Sequence, residues 1–357
     1  MQTAAIWGAG FIAQTHVDAL RANGINIALV VSRTREGAQE FAAAHGIPRA
    51  SDDPTLLFDE GIDCVHVCTP PNLHYSMVKT LLEHGKNVVC EKPLCLDERE
   101  AEELYSLARE SGLVCAVNFN VRFHDACQRA HALTADPAFG RILLVHGTYL
   151  QEFGALPTAK TWRYDERMAG KMHAVTEIGS HWMDLAEFVS GRRICAVSAQ
   201  FDRFHPVRYV ENGMMYAEPA ENRVPFAVES EDAAVLNLRF EGGAIGSCLL
   251  SELSQGRTNR LTLEVTGEKQ NLWWDSENHT ALNSAGRGEG VHTELYPFGG
   301  GFADTFRRLL TEVYADIAAG KVSDTPRYPS FADGYRSVKL CKAVYDSAMN
   351  DAKWVAV

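Results

Sequence analysis

The sequence predicts an α/β chain in two parts: a doubly wound parallel sheet first, then an α/β domain whose sheet is mostly antiparallel. Three observations predict this. As far as Val117, apolar strand-like segments alternate with helical ones. A glycine turn joins the first strand directly to the first helix. From about Arg122 the alternation gives way to neighbouring strand-like segments, and two amphipathic helices close the chain. Apolar strands separated by helices imply a parallel sheet covered on both faces, whereas strands that follow one another pair antiparallel.

Thr3–Trp7 reads as a short apolar strand, and Gly8–Gly10 lead from it into a helix over Phe11–Ala22 with Gly24 just past its end. Ile27–Val31 is a second, β-branched strand. Thr34 can cap a helix running to about His45, stopped by Gly46. Asp63–Cys68 is a buried strand, Asn72–His84 a helix closed by Gly85, and Asn87–Cys90 a strand. Asp97, with Glu100 three residues on, starts a capping-box helix, and Val114–Val117 is the next strand. After one more helix, Arg141–Leu150 reads as a strand. A long polar stretch follows from Gln151 to Met172, then a helix near Val175–Val189. Strands are expected at Cys195–Phe201, Asp232–Phe240, Ala244–Glu252, Arg260–Thr266 and Gln270–Trp274, with Gly242-Gly243 as a hairpin turn. Pro206–Val228 is poor in regular pattern and reads as a long loop or arm. The closing helices span about Ala303–Ala319 and Ala332–Met349. The texture places one domain over 1–121 and a second over 122–357.

The chain of 357 residues is long enough for those two domains. Its net charge of −12 argues against nucleic acid or an anionic membrane as partner. No apolar run reaches bilayer length, and the start MQTAAIWGAG lacks the basic and apolar regions of a secretory signal. The nine cysteines are scattered without a CxxC pair. They read as reduced, buried thiols of a cytoplasmic protein, not as zinc ligands.

Gly8-Ala9-Gly10-Phe11-Ile12-Ala13 is a GxGxxA turn between a strand and a helix. Gly8 permits the tight turn, Gly10 lets backbone approach a pyrophosphate, and Ala13 allows close helix–sheet packing. The helix start then offers N–H groups and a positive dipole end. In this setting the turn, with Phe11 and Ile12 opening the helix, predicts a dinucleotide site in a Rossmann fold. An acid after the second strand would bind the ribose hydroxyls of NAD, but Val31-Ser32-Arg33-Thr34 holds none. Ser32 and Arg33 can accommodate a 2′-phosphate, which modestly favours NADP(H) over NAD(H). An Arg33 that only stacks on adenine would suit either cofactor.

Further motifs follow in order. Thr69-Pro70-Pro71-Asn72-Leu73-His74 follows the DCVHVC strand, Glu91-Lys92-Pro93 follows the VVC strand, and Glu177-Ile178-Gly179-Ser180-His181-Trp182-Met183-Asp184 comes later. With Gly8–Ala13, this set resembles the glucose–fructose oxidoreductase / inositol dehydrogenase (Gfo/Idh/MocA) family, over essentially the whole chain. The resemblance implies an N-terminal Rossmann domain and a C-terminal α/β domain for substrate binding. The open sheet of that second domain would serve assembly into a homodimer or homotetramer. The stretch from Tyr149 to Asp184 is most similar to the family's sugar and cyclitol dehydrogenases. The implied activity is NAD(P)-dependent hydride transfer to or from a secondary alcohol or ketone of a sugar, glycoside or cyclitol. Two other readings remain: a cofactor-sensing regulator without catalysis, and a redox-assisted lyase or glycosidase with tightly held cofactor.

Lys92 ends a parallel strand, where ligands bind in such sheets. By resemblance it is the functional lysine, contacting the nicotinamide ribose and the reacting hydroxyl. Thr69, Asn72, His74 and Glu91 match motif positions near the cofactor, although turn and capping chemistry also accounts for Asn72 and His74. The later motif matches D-x-G-x-H-x-x-D with Glu177 in place of the first Asp. Glu177 and His181 are neighbours if the segment is helical, and a carboxylate beside imidazole can fix its tautomer. His181 would exchange the proton of the substrate hydroxyl, Lys92 would supply positive charge to that oxygen, and Glu177 would support His181. The longer Glu arm would reach His181 from a different angle or contact substrate. Asp184 caps or ties the site. His173, Glu177 and His181 share a helical spacing, but the loop-like Ala169–Met172 would break such a stripe, so no metal is expected. His173 is instead expected to line the pocket with Asn120, Arg122, Trp162 and Arg163, donors and an aromatic face suited to a polyol.

Overall fold

The computed structural model describes residues 2–357. The first strands and helices are β1 (Thr3–Trp7), α1 (Phe11–Ala22), β2 (Asn26–Val31), α2 (Arg35–His45), β3 (Ala50–Ser51), β4 (Cys64–Val67), α3 (His74–Glu83), β5 (Asn87–Cys90), α4 (Glu98–Ser111) and β6 (Cys115–Val117). They form a six-stranded sheet of order β3-β2-β1-β4-β5-β6, every pair parallel. This is the Rossmann order, whose direction of growth reverses between β1 and β4. The expected caps are present. Thr34 Oγ1 accepts from Gly37 N at 3.2 Å, and Asp97 Oδ1 accepts from Arg99 N at 2.8 Å and Glu100 N at 3.2 Å. The sheet is apolar on both faces because helices cover both. Ala4 and Ile6 of β1 point into one core and Ala5 into the other.

The second sheet is built from β7 (Ile142–Leu150), which follows α5 (Asp125–Ala135), and from strands beyond it. Between them come β8 (Thr158–Ala159), α6 (Glu166–Ala169) and α7 (Ser180–Ser190). The later strands are β9 (Ile194–Asp202), β10 (Val207–Glu211), β11 (Met214–Tyr216), β12 (Val224–Ala227), β13 (Ala233–Phe240), β14 (Ile245–Ser251), β15 (Arg260–Gly267), β16 (Gln270–Asp275), β17 (Ala281–Gly286) and β18 (His292–Leu295). The chain closes with α8 (Gly301–Ala319), α9 (Phe331–Ala348) and β19 (Val355–Ala356). The large sheet has nine strands in the order β18-β17-β16-β15-β7-β14-β13-β9-β19. Only β14 and β7 pair parallel in it. Its strands alternate: Leu236, Leu238 and Phe240 are buried while Val235, Asn237 and Arg239 are exposed. One face therefore carries a core and the other is open. Trp182 of α7 seals the covered face, fully buried, with Nε1 donating to Thr262 O at 2.9 Å.

Two expectations are corrected. Pro206–Val228 is not a loop. Strands β12-β10-β11-β8 form a four-stranded sheet, and Asn212 (φ 50°) with Gly213 (φ 79°) makes the turn between β10 and β11. Asn-Gly is the commonest signal for such a hairpin, and it stood in the sequence unread. The division at 121 is also revised. The compact units are Met1–Phe123 with Gly300–Val338, and His124–Gly299 with Lys339–Val357. Helix α8 returns to the first unit because its apolar face joins the core of α1 and β1. Phe306, Leu309, Leu310 and Val313 are buried in one cluster with Val17, Leu20 and Ile6. Among the described residues no helix is long and apolar enough to cross a membrane.

Leu309 is fully buried. Leu309→Ala is expected to destabilise the protein by about 2–5 kcal/mol through lost burial and the cavity left behind. Urea denaturation of the full chain followed by near-ultraviolet circular dichroism measures it, and a loss within about 0.5 kcal/mol would remove α8 from the first core.

Candidate active site

Three turns meet at one edge of the parallel sheet because β1, β4 and β5 are adjacent and run the same way. Gly8 follows β1, Thr69 lies just beyond β4, and Lys92 lies just beyond β5. Main-chain bonds lock them together: Gly8 N to Val31 O at 2.8 Å, Cys68 N to Trp7 O at 2.8 Å, and Glu91 N to Val67 O at 3.0 Å. Gly8 has φ +115°, and a Cβ there would stand 2.7 Å from Cys68 O. Only glycine fits that turn. At Gly10 a Cβ would meet nothing within 4 Å. Helix α1 begins without a side-chain cap and without an acid in its first turn. Its initial N–H groups thus face open space with the positive dipole end, and the residues present fit a pyrophosphate.

Around this turn Phe11, Arg33 and Asn72 are exposed, while Ile12, Ser32, Thr69 and Lys92 are half-buried. Ser32 Oγ donates to Thr34 O at 2.9 Å, leaving Arg33 as the projecting group after β2. Thr69 Oγ1 lies 3.3 Å from Met77 Sδ. The Lys92–Pro93 peptide is cis.

Two residues expected at the cofactor work from behind it. His74 is fully buried, with Nδ1 2.8 Å from Pro93 O and Nε2 2.8 Å from Thr69 O. It joins the turn after β4 to the turn after β5 and presents no surface to a ligand. Burial lowers its pKa against those two carbonyl contacts. The Glu91 carboxylate also turns inward. Oε1 lies 2.8 Å from His16 Nε2 and 2.6 Å from Asn118 Nδ2, and Oε2 accepts from Lys92 N at 3.3 Å.

Two expected pocket residues are likewise tethers. Asn120 is buried and donates from Nδ2 to Thr305 Oγ1 of α8 at 2.7 Å. Arg122 reaches Asp333 of α9 at 2.8 Å. Both hold the two returning helices to the first unit.

The second unit gathers the remaining candidates. Val175–Gly179 forms a π-helical turn that runs directly into α7, with Glu177 on the π turn and His181 in the first turn of α7. Such π insertions are frequent at functional sites. His181 is half-buried, and Asp184 is buried three residues on. Arg163 Nε donates to Glu177 Oε2 at 3.0 Å, and its guanidinium lies 4.7 Å from the Trp162 ring.

His173 does not open onto solvent. Its Nε2 lies 2.8 Å from Glu252 Oε2, and the Tyr164 ring stacks on it at 4.7 Å. That nitrogen is engaged by Glu252. Burial opposes charge on His173, but Glu252 beside it, with Glu177 and Glu231, raises its pKa to about 9.

Glu231 caps the helix start. Oε1 accepts from Val175 N at 2.8 Å and from His173 N at 3.0 Å. Burial pushes its carboxyl up to about 7 in spite of those N–H groups. Beside it, Arg208 is buried with an ion pair to Asp232 at 3.1 Å. Glu231, Asp232, Glu252 and Arg208 escaped the sequence reading. The available signal was acids flanking otherwise apolar strands, where a charge needs a partner.

The family comparisons agree with this geometry. Residues 3–119 match the model of an oxidoreductase family with an NAD-binding Rossmann fold, and residues 127–273 match the Gfo/Idh/MocA C-terminal domain. The chain belongs to the Gfo/Idh/MocA oxidoreductase family. As a member it is an oxidoreductase with an N-terminal NAD-binding Rossmann domain. Among curated relatives, levoglucosan dehydrogenase of Pseudarthrobacter phenanthrenivorans is 28% identical over 92% of this chain and 89% of its own. D-glucoside 3-dehydrogenase of Escherichia coli is 27% identical over 64% of this chain and 70% of its own. A solved levoglucosan dehydrogenase in complex with NADH and L-sorbose superposes with a TM-score of 0.91 at 27% identity, covering 100% of this chain and 99% of the other.

The buried acid–base cluster has a pH signature. Glu231 and His173 both bind protons more tightly in the fold than in the unfolded chain. Each therefore contributes stability that is lost as pH rises, Glu231 from its ordinary value of 4.5 to about 7 and His173 from 6.5 to about 9. Glu231→Gln is expected to flatten the lower part of the stability–pH curve and His173→Gln the upper part. Urea titrations across pH measure this, and unchanged slopes in both variants would reject the charge assignments.

Proposed function

We infer that this oxidoreductase moves hydride between a nicotinamide dinucleotide and a secondary alcohol or ketone of a sugar, glycoside or cyclitol. The observation that carries this reading is the placement of Lys92 beside the phosphate turn, at the carboxyl edge of adjacent parallel strands. The substrate class follows from the relatives named as levoglucosan, D-glucoside and inositol dehydrogenases. The bound cofactor supplies the hydride acceptor or donor. Gly8, Gly10, Phe11 and Ile12 would hold its pyrophosphate through the start of α1, with Ser32 and Arg33 at the adenosine ribose and Thr69 and Asn72 alongside.

His181 takes the proton from the substrate hydroxyl in oxidation and returns it in reduction. Lys92 places positive charge against the same oxygen as it gains negative character. Glu177, held by Arg163, supports His181, and Trp162 offers an aromatic face to the sugar's C–H groups. Asp184 ties the helix that carries His181. The enzyme works in the cytoplasm as a homo-oligomer joined through the open face of the nine-stranded sheet, where Val235, Ile245 and Leu249 are exposed.

A panel of sugars and cyclitols assayed with NAD and NADP in parallel tests the activity. Lys92→Ala and His181→Ala are each expected to lower kcat by about 10²–10⁴-fold. Near-wild-type turnover in both would overturn the assignment, and turnover without net change in cofactor absorbance would replace it with redox-assisted lyase or glycosidase chemistry.

Arg33, the exposed cation where NAD enzymes carry an acid, leads us to assign NADP(H) the preference. The relatives solved with NADH do not carry that assignment. Arg33→Ala is expected to lower kcat/KM with NADP about tenfold and with NAD about twofold or less. A wild-type preference for NAD would refute it.

A further inference from the structure

We propose that Glu91 is a positioning residue for Lys92, held in place by His16 of the same helix that begins at the dinucleotide turn. This rests on the reading of Lys92 given above. The geometry is a chain of buried side chains within the first unit. Tyr314 Oη of α8 lies 2.9 Å from His66 Nε2 of β4. His66 Nδ1 lies 2.8 Å from His16 Nδ1 of α1, and His16 Nε2 lies 2.8 Å from Glu91 Oε1. Asn118, just beyond β6, donates to the same oxygen at 2.6 Å. The other carboxylate oxygen accepts from the main-chain N–H of Lys92 at 3.3 Å. His16, His66 and Tyr314 are each 3% exposed or less, and Glu91 is 8% exposed.

The proton inventory admits two polarities for this chain, one with neutral His16 and the Nδ1 proton on His66, the other with charged His16, and the surrounding charges favour the second. Two facing Nδ1 atoms need one proton between them. With His16 as imidazolium, Nε2–H donates to Glu91 and Nδ1–H donates to His66, which stays neutral with its own proton on Nε2 facing Tyr314. The electrostatics agree. Burial opposes charge on His16, but Cys68 and Glu91 beside it raise its pKa to about 10. Burial, together with the His16 charge, drives that of His66 well down. Burial would raise Glu91, yet His16, Asn118 and Lys92 bring it below its usual value.

A buried ion pair is a poor way to gain stability, since apolar residues of similar size commonly do as well. This pair stands where it links two parts of the reaction machinery. His16 lies on the helix whose first turn receives the pyrophosphate, and Glu91 grips the main chain of the residue that meets the substrate oxygen. The dinucleotide helix and Lys92 thereby share one rigid frame. The Lys92 ammonium is one of the charges that bear on Glu91. The other groups whose charge bears on Glu91 are His16 of α1, His74 of α3 and Cys90 of β5; Cys68 bears on it through His16.

The test uses the 357-residue chain with the best sugar or cyclitol of the panel. Glu91→Gln keeps one acceptor oxygen of two and removes the charge. It is expected to lower kcat about tenfold and leave the sugar KM within about twofold. His16→Ala is expected to lower kcat similarly. His16→Gln, whose amide can still donate to Glu91, should recover part of that loss. The Glu91→Gln/His16→Ala double variant should be no slower than the worse single, because both break one unit. Fluorescence titration with NADH and NADPH confirms that each variant still binds dinucleotide. Should one of these variants fail to fold, Asn118→Ala takes its place: it removes the second donor to the same oxygen and should lower kcat without raising the sugar KM. Wild-type kcat, a sugar KM raised in step with the loss of kcat, or single effects that multiply in the double variant would overturn the proposal. If Lys92→Ala abolishes turnover while Glu91→Gln does nothing, this inference alone falls. If Lys92→Ala is also harmless, the reading of the active site falls with it.

Discussion

The parallel pairing of β1 with β4 and of β4 with β5 is the constraint on which the first unit depends. Parallel neighbours end on the same edge, so three segments far apart in sequence arrive together: the glycine turn, the Thr-Pro-Pro-Asn turn and the Glu-Lys-Pro turn. The reversal of strand order between β1 and β4 leaves a crevice at that edge. Nothing local to Lys92 requires it to stand near Gly8; the register of the sheet does. The buried histidines and Glu91 reinforce that arrangement from below, where the strands meet α1 and α8.

The second unit meets a different demand. Its helix start at His173 enters a region that also buries Glu231, Glu252, Arg208 and Asp232. Each buried charge has a partner: Glu252 takes His173, Arg208 takes Asp232, and Glu231 takes the N–H groups that open the helix. The outcome is a held π turn that carries Glu177 into α7. Arg163, from the long polar stretch before the helix, ties that stretch to Glu177.

Much of this was legible in the order of residues. Strand and helix positions in the first unit follow from apolar runs bounded by capping residues and glycines, which are local signals. Those runs are fully buried, so no competing amphipathic pattern obscured them. The two-residue strand β3 was missed because its pairing with β2, and not its own pattern, makes it a strand. The β10–β11 hairpin was missed for a different reason. Its Asn-Gly turn was present, but the flanking residues lie on a small sheet that is buried on neither face throughout, so their alternation is weak.

The sequence by itself determined that a glycine turn opens a dinucleotide helix and that Lys92 closely follows a strand. It also set Glu177 and His181 four residues apart, while the fold puts Glu177 on a π turn and His181 on the α-helix that follows. What the sequence set are short-range facts, fixed by residue type and spacing along the chain. Only the tertiary structure decided which polar residues face inward. His74, Glu91, Asn120 and Arg122 all matched motifs or looked like donors for a ligand, and each bonds to a partner within the fold. Likewise, only the fold decided that α8 completes the first core. Burial and partnership depend on what the rest of the chain brings alongside, and no spacing within a motif carries that information.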